Sequence, residues 1–232
     1  MFGALVFSTV NALEFNEIRR NVIRIPEVIH RVREAQAIWD QTCDRNLDLA
    51  NFICSDDQSF LGNLRLKNLA TAVVQLGLLD RFLKVAELPE WLLGLSNGDA
   101  PLRVAARQET FDELIRGSQA LSSIRPQQIP GLSGLPVLSG VSLAEFSVLS
   151  KDETGFRPVI EHEMDLRKAL VTLLDGARPK RVVVLGPGHS HVQHLLRDLG
   201  GGKIEIVDSV ALDPLLGWFY TPAPETLAAA VQ

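Results

Sequence analysis

Cysteine is scarce: Cys43 and Cys54 are the only two in 232 residues. With no second pair at metal-ligand spacing, they are expected as reduced thiols, which suits a cytoplasmic location. No run of about 18 consecutive apolar residues occurs, so no membrane-spanning helix is expected. The apolar start, residues 1–7, lacks the basic lead and small-residue cleavage site of a signal peptide and reads as a buried first strand. Positive charge is in short supply too, with 23 Lys and Arg against 28 Asp and Glu, a net charge of −5. Affinity built on neutralising phosphates needs a basic face, so nucleic acid is not an expected partner. Internal repeats are absent. No histidine lies between Ser96 and His162, an absence that bears on the chemistry below.

What is present is ordinary for a folded chain: 46% apolar and 22% charged residues, in a length that suits a single domain with a well-buried core. After the first strand, Pro26 opens a helix with Val28, Ile29, Val32 and Ile38 at roughly helical spacing. A second helix, about residues 64–83, is nearly apolar all round through Leu66, Leu69, Ala70, Val73, Val74 and Leu76, as a core helix is. Trp91-Leu-Leu-Gly94 reads as a buried strand. Helices are expected over 99–106 and 110–116, the latter with Thr110 and Glu113 as a capping box. Residues 117–140, rich in Ser, Gly, Pro and Gln, read as a connector. A helix over 165–174, stopped by Gly176 and Pro179, is followed by a strand over 181–185, a Gly-Pro-Gly turn, a helix around 192–199 and a strand over 203–207. Strands alternating with helices predict an α/β fold with a mostly parallel sheet covered by helices, in one domain over residues 1–232.

Gly94-Leu95-Ser96-Asn97-Gly98 matches the nucleophile-elbow pattern Gly-x-Ser-x-Gly. There, small flanking residues let a strained turn present a hydroxyl at the C-terminal end of a strand. An apolar strand precedes it and a helical segment follows. At a helix N-terminus, backbone N–H groups can stabilise an oxyanion formed on a substrate. The plain alternative is a Gly/Asn turn that happens to carry a structural serine.

The surroundings, Trp91 to Asp99 with Val104-Ala-Ala106 and Thr110-Phe-Asp-Glu-Leu-Ile115, resemble malonyl-CoA:acyl carrier protein transacylases, whose elbow reads Gly-His-Ser-x-Gly-Glu. The likeness continues upstream in Ala4-Leu-Val-Phe7 and the helix over 67–83. Downstream it resumes at Leu135-Pro-Val137, Pro158-Val159 and Val182-Val-Val-Leu-Gly-Pro-Gly188, similar to the family's Glu-Ile-Gly-Pro-Gly. The resemblance implies an acyltransferase-like, α/β-hydrolase-like core with Ser96 as nucleophile, Arg116 as carboxylate-binding residue, and Leu95 and Asn97 beside the substrate. It implies CoA or acyl carrier protein thioesters as partners, within fatty acid or polyketide metabolism, and no cofactor or resident metal. Departures accompany the matches. Residues 8–13 replace the family's Gly-Gln-Gly-x-Gln oxyanion loop, Leu95 stands where the family has His, and Asp99 where Glu is usual. The family's ferredoxin-like subdomain, with its Phe-His motif, is expected to be reduced or missing, replaced by the 117–140 connector. A serine without a base is a poor nucleophile, so a degenerate member with a binding or scaffolding role is expected. An active Ser96-dependent acyltransferase or thioester hydrolase is the alternative.

Two further patterns carry chemistry. Gly186-Pro-Gly188, with Asp208 about 20 residues on, imitates a nucleotide-binding turn in which an acid binds ribose hydroxyls. Against this, His191 occupies the third glycine position, and residues up to Gln232 leave little room for the βα units that complete such a sheet. A plain strand–helix turn is the simpler reading. His189, His191 and His194 suggest a metal, but no carboxylate or cysteine pattern accompanies them, and they read as a solvated helix start. One of them could substitute for the missing base. His30 and His162, the latter beside Glu161 and Glu163, suit surface electrostatics.

Overall fold

The computed structural model describes residues 2–8, 22–42, 46–55, 64–95, 99–121, 146–163, 165–186 and 190–209. Among them are six strands, β1 (Ala4–Phe7), β2 (Trp91–Leu95), β3 (Phe146–Asp152), β4 (Gly155–Glu163), β5 (Arg181–Leu185) and β6 (Glu205–Asp208). Seven helices accompany them: α1 (Pro26–Thr42), α2 (Leu49–Cys54), α3 (Leu64–Phe82), α4 (Asp99–Ala105), α5 (Phe111–Leu121), α6 (Leu166–Ala177) and α7 (Ser190–Leu199). The strands form one sheet in the order β4-β3-β2-β1-β5-β6. No helix among the described residues is long and apolar enough to cross a membrane.

The α/β class stands, but the sheet is mixed. β2, β1, β5 and β6 run parallel, whereas β3 is antiparallel to β2 and to β4. The β3–β4 hairpin escaped the sequence reading because β4 carries Pro158 and several charges, which look like a loop. Its position explains both. β4 is an edge strand, where a missing N–H costs no ladder bond and charge discourages further pairing. The turn itself is polar: the Asp152 carboxylate accepts from the Thr154 N–H at 2.7 Å and from its hydroxyl at 2.6 Å. Gly155 then takes φ +126°, open only to glycine.

Period-2 alternation sorts the strand side chains into two core layers. Leu5, Phe7, Leu92, Leu149, Val183 and Leu185 face a large layer shared with α1 to α5. Ala4, Val6, Leu93, Leu95, Val182 and Val184 face a smaller one under α6 and α7. Both faces being covered, β1, β2 and, after Arg181, β5 are continuously apolar, as central parallel strands are. The two layers follow from handedness. Parallel crossovers are right-handed, and the chain moves in opposite directions along the sheet from β1 to β2 and from β5 to β6, so the connecting helices land on opposite faces.

Within the large layer α3 is a core helix: Leu69, Val73, Val74, Leu76, Leu78 and Leu79 are all buried, each contributing about 1.5–3 kcal/mol by leaving water. Gly77 sits where α1 crosses it, and a Cβ there would stand 2.5 Å from the Val28 Cα. On the opposite side, Gly176 does not stop its helix as the sequence suggested. α6 continues to Ala177 and is capped by Arg178 in the left-handed region, φ 40°. Gly176 is needed because the Trp91 indole lies against it, 2.1 Å from where a Cβ would be.

The 117–140 connector begins later than expected. α5 runs through Gly117 to Leu121 because Leu114 and Ile115 anchor it in the core, and an exposed glycine costs a helix only about 1 kcal/mol. Residues 122–140, where the missing subdomain is at issue, lie outside the described residues. The helix α2, capped by the Asp48 carboxylate on the Asn51 N–H at 2.9 Å, was not expected. Its six residues are too few for a periodic signal.

Candidate functional site at the carboxyl edge of the parallel strands

The chain leaves β1 toward β2 and leaves β5 toward β6, on opposite sides and over opposite faces of the sheet. Where such connections diverge, a crevice opens outside the carboxyl ends of the strands, and open α/β sheets bind ligands there. In this chain the divergence lies between β1 and β5, with the end of β2 next to it.

Three polar side chains the sequence reading did not single out lie along α3, and one of them, Gln75, meets the ends of β1 and β5. Lys67, Thr71 and Gln75 are buried, at 7%, 1% and 0% exposure, and their spacing of four puts them on one stripe of the helix. Gln75 meets the end of β1 at Ser8, whereas seven residues later the Phe82 ring packs edge-on against Phe2, centroids 5.1 Å apart, near the strand's start. α3 therefore runs antiparallel to β1, and Thr71 and Lys67 rise beyond the strand ends. Thr71 donates its hydroxyl to the Lys67 carbonyl at 2.7 Å. The signal was present in the sequence as three polar residues, four apart, along a helix whose middle, residues 69–79, is otherwise apolar.

Gln75 bridges the two strands. Its Nε2 donates to the Ser8 carbonyl at 2.8 Å and to the Leu185 carbonyl at 3.2 Å, and lies 3.2 Å from the Ser8 hydroxyl. The hydroxyl in turn donates to Leu185 O at 2.8 Å. Two carbonyls on one side fix the carboxamide orientation, because the reverse would oppose oxygen to oxygen. Oε1 is left buried without a hydrogen-bond partner, a state that costs about 1–3 kcal/mol.

Beyond β5, Gly186 takes φ +127°, which explains the first glycine of Gly-Pro-Gly. Its N–H donates to the Ser209 hydroxyl at 3.3 Å. Asp208 ends β6, beside β5, so the strand–turn–helix–strand unit is present. Its carboxylate, however, is buried and accepts from Gln193 of α7 at 3.0 Å, which ties it beneath that helix. Pro187, Gly188 and His189 lie outside the described residues.

Ser96, Asn97 and Gly98 also lie outside them, so the expected elbow is bracketed rather than described: β2 ends at Leu95 and α4 begins at Asp99. Leu95 is fully buried in the smaller core layer. Asp99 accepts from Arg103 Nε at 2.8 Å within α4, and this bond raises the Arg103 pKa. Arg116 is exposed on α5 and ion-paired with Asp112 one turn back. The structure thus gives it a partner on its own helix. His30 and His194 are exposed on α1 and α7. The side chains of His162 and His191 are outside the description. Among the described residues no group of three His, Cys, Asp or Glu side chains is placed to hold a metal.

Comparison of the chain with protein-family models, with curated proteins and with solved structures finds no match.

Proposed function

We propose that this chain is a motif-degenerate acyltransferase-like protein, related to malonyl-CoA:acyl carrier protein transacylases. On this reading it binds CoA or carrier-protein thioesters and serves acyl-chain metabolism, in fatty acid or polyketide assembly, as a binding or scaffolding partner, with acyl transfer slow or absent. The observation that carries the reading is the position of the Gly94-Leu-Ser96-Asn-Gly98 pattern. In sequence it runs from the end of β2, a buried strand of the parallel part of the sheet, to the start of α4.

Transfer on such a site begins with the Ser96 hydroxyl attacking the thioester carbonyl. An oxygen–acyl bond forms, the carbon–sulfur bond breaks, the hydroxyl proton goes to a base and the thiol departs. General-base help is worth about 10²–10⁴ in rate and an oxyanion-hole donor about 10²–10³. The sequence has lost the family's Phe-His segment and its Gln-bearing oxyanion loop. Ser8, at the start of that loop, is instead buried with its hydroxyl bonded to Leu185.

Intact-mass spectrometry after incubation with malonyl-CoA and acetyl-CoA tests the reading. No stoichiometric adduct is expected within minutes. Rapid stoichiometric acylation that Ser96→Ala abolishes would instead establish an active Ser96-dependent acyltransferase or thioester hydrolase, with His189 or His191 the first residues to examine as base.

A further inference from the structure

Between α1 and α2, away from the strand ends, lies an open groove of about 410 Å³. Gln36 fixes its walls: Nε2 donates to the Leu47 carbonyl at 2.6 Å and Oε1 accepts from the Leu49 N–H at 2.8 Å, tying α1 to the start of α2. Ile29, Val32 and Leu47 form the apolar part of its lining. The charges are sorted by sign along α1. Arg33 is exposed and has no side-chain partner among the described residues. Two turns further on, about 10 Å along the axis, Asp40 accepts from Gln36 with one oxygen only, and Asp48 at the head of α2 adds a second carboxylate. Asp40 lies in the last turn of α1, which holds no basic residue, so the negative end of that helix adds to the acidity. A fitting occupant carries a cation, an apolar group and an anion in that order, spread over two helical turns and running opposite to α1.

This chain presents such a ridge on α6. Lys168, Val171 and Asp175 stand at i, i+3 and i+7, on one stripe of the helix, with Arg167 beside Lys168 as a second cation. All four are exposed, and Val171 is one of four large apolar side chains left exposed among the described residues. Lys168 is ion-paired with Glu163 of its own chain. The side chains of Arg167 and Asp175 have no partner among the described residues.

We propose that the groove between α1 and α2 receives α6 of a second copy of this chain, antiparallel to α1. Asp175 then meets Arg33, Arg167 and Lys168 meet Asp40 and Asp48, and Val171 covers the apolar lining between them. α1 and α6 pack on opposite faces of the sheet, so the contact joins unlike surfaces and repeats head to tail instead of closing on a two-fold axis. It stands independently of the thioester reading.

Sedimentation velocity of the full chain tests this. One helix ridge in one groove makes a small interface, so the association is weak, with a Kd of about 10⁻⁴ M. The weight-average mass is expected to rise more than about twofold between about 10 µM and about 1 mM, because head-to-tail contacts continue past the dimer. Arg33→Glu opposes like charges at Asp175, and Asp175→Lys opposes them at Arg33, so each variant alone is expected to stay near the monomer mass. An equal mixture of the two variants restores opposite charges at every contact, and the rise should return. Both positions are exposed and unpaired, and circular dichroism checks that each variant folds. Should either not fold, Val171→Ser, in the middle of the ridge, is expected to reduce the rise instead. A parent chain that stays monomeric at the highest concentration overturns the proposal, as does a mass that levels off at the dimer. A rise that the single reversals leave intact, or that the mixture does not regain, overturns it too.

Discussion

Glu27 shows how a single side chain couples this fold to pH. It sits in the first turn of α1, its side chain 8% exposed, and receives Lys84 Nζ at 2.5 Å and Arg81 at 3.3 Å. Burial pushes its pKa up, but the bonds from Lys84, from its own backbone N–H and from Arg81 outweigh that and hold it below the ordinary glutamate range. A carboxylate whose pKa is depressed by folding contributes stability above its unfolded pKa and loses it as the pH falls through the folded value. Glu27→Gln should therefore lower the unfolding free energy by roughly 1–2 kcal/mol at pH 7, a modest figure because Lys84 is 66% exposed. The gap between variant and parent should close as pH falls below about 4. Urea unfolding at several pH values checks this, and a gap that stays constant down to pH 3 would contradict it. Legibility at this scale was uneven. The core positions of the strands and of α3 could be read from apolarity alone. Gln75 could not, because its meaning depends on carbonyls 67 and 110 positions away in the chain.

At the scale of elements, local signals worked where a helix or strand could declare itself within its own residues. The capping box is present as read, with the Thr110 N–H donating to Glu113 at 2.7 Å and the Glu113 N–H to the Thr110 hydroxyl at 3.2 Å. Signals misled where a neighbour decided. Gly176 looked like a stop because its partner, Trp91, is 85 positions away in sequence. Pro158 hid β4 because only the sheet order makes that strand an edge. The true end of α6 falls to Arg178, which takes the left-handed conformation with its N–H on Leu174 O at 2.9 Å. Non-glycine residues pay about 1–2 kcal/mol there, and the exposed Arg178 side chain gives little back. Arg178→Gly should raise stability by about 0.5–1 kcal/mol, the remainder being offset by the freedom glycine gains in the unfolded chain. Thermal unfolding at matched conditions checks it, and a lowered midpoint would show that the arginine side chain contributes more than its conformation costs.

At the scale of the whole molecule, one sheet turns opposite connections onto opposite faces, the arrangement in which open α/β sheets bind ligands at the carboxyl ends of their strands, here β1 and β5, and the Ser96 pattern follows the neighbouring β2 in sequence. Position in the fold, the bridging Gln75 and the elbow pattern point to the same edge. The measurement that bears most directly on this is amide hydrogen exchange of the full chain with and without CoA. Protection is expected in peptides covering residues 71–76, 93–99 and 184–190, with the β3–β4 hairpin turn and the exposed face of α5 unchanged. Protection confined to other segments, or no change at CoA concentrations in the millimolar range, would contradict the account.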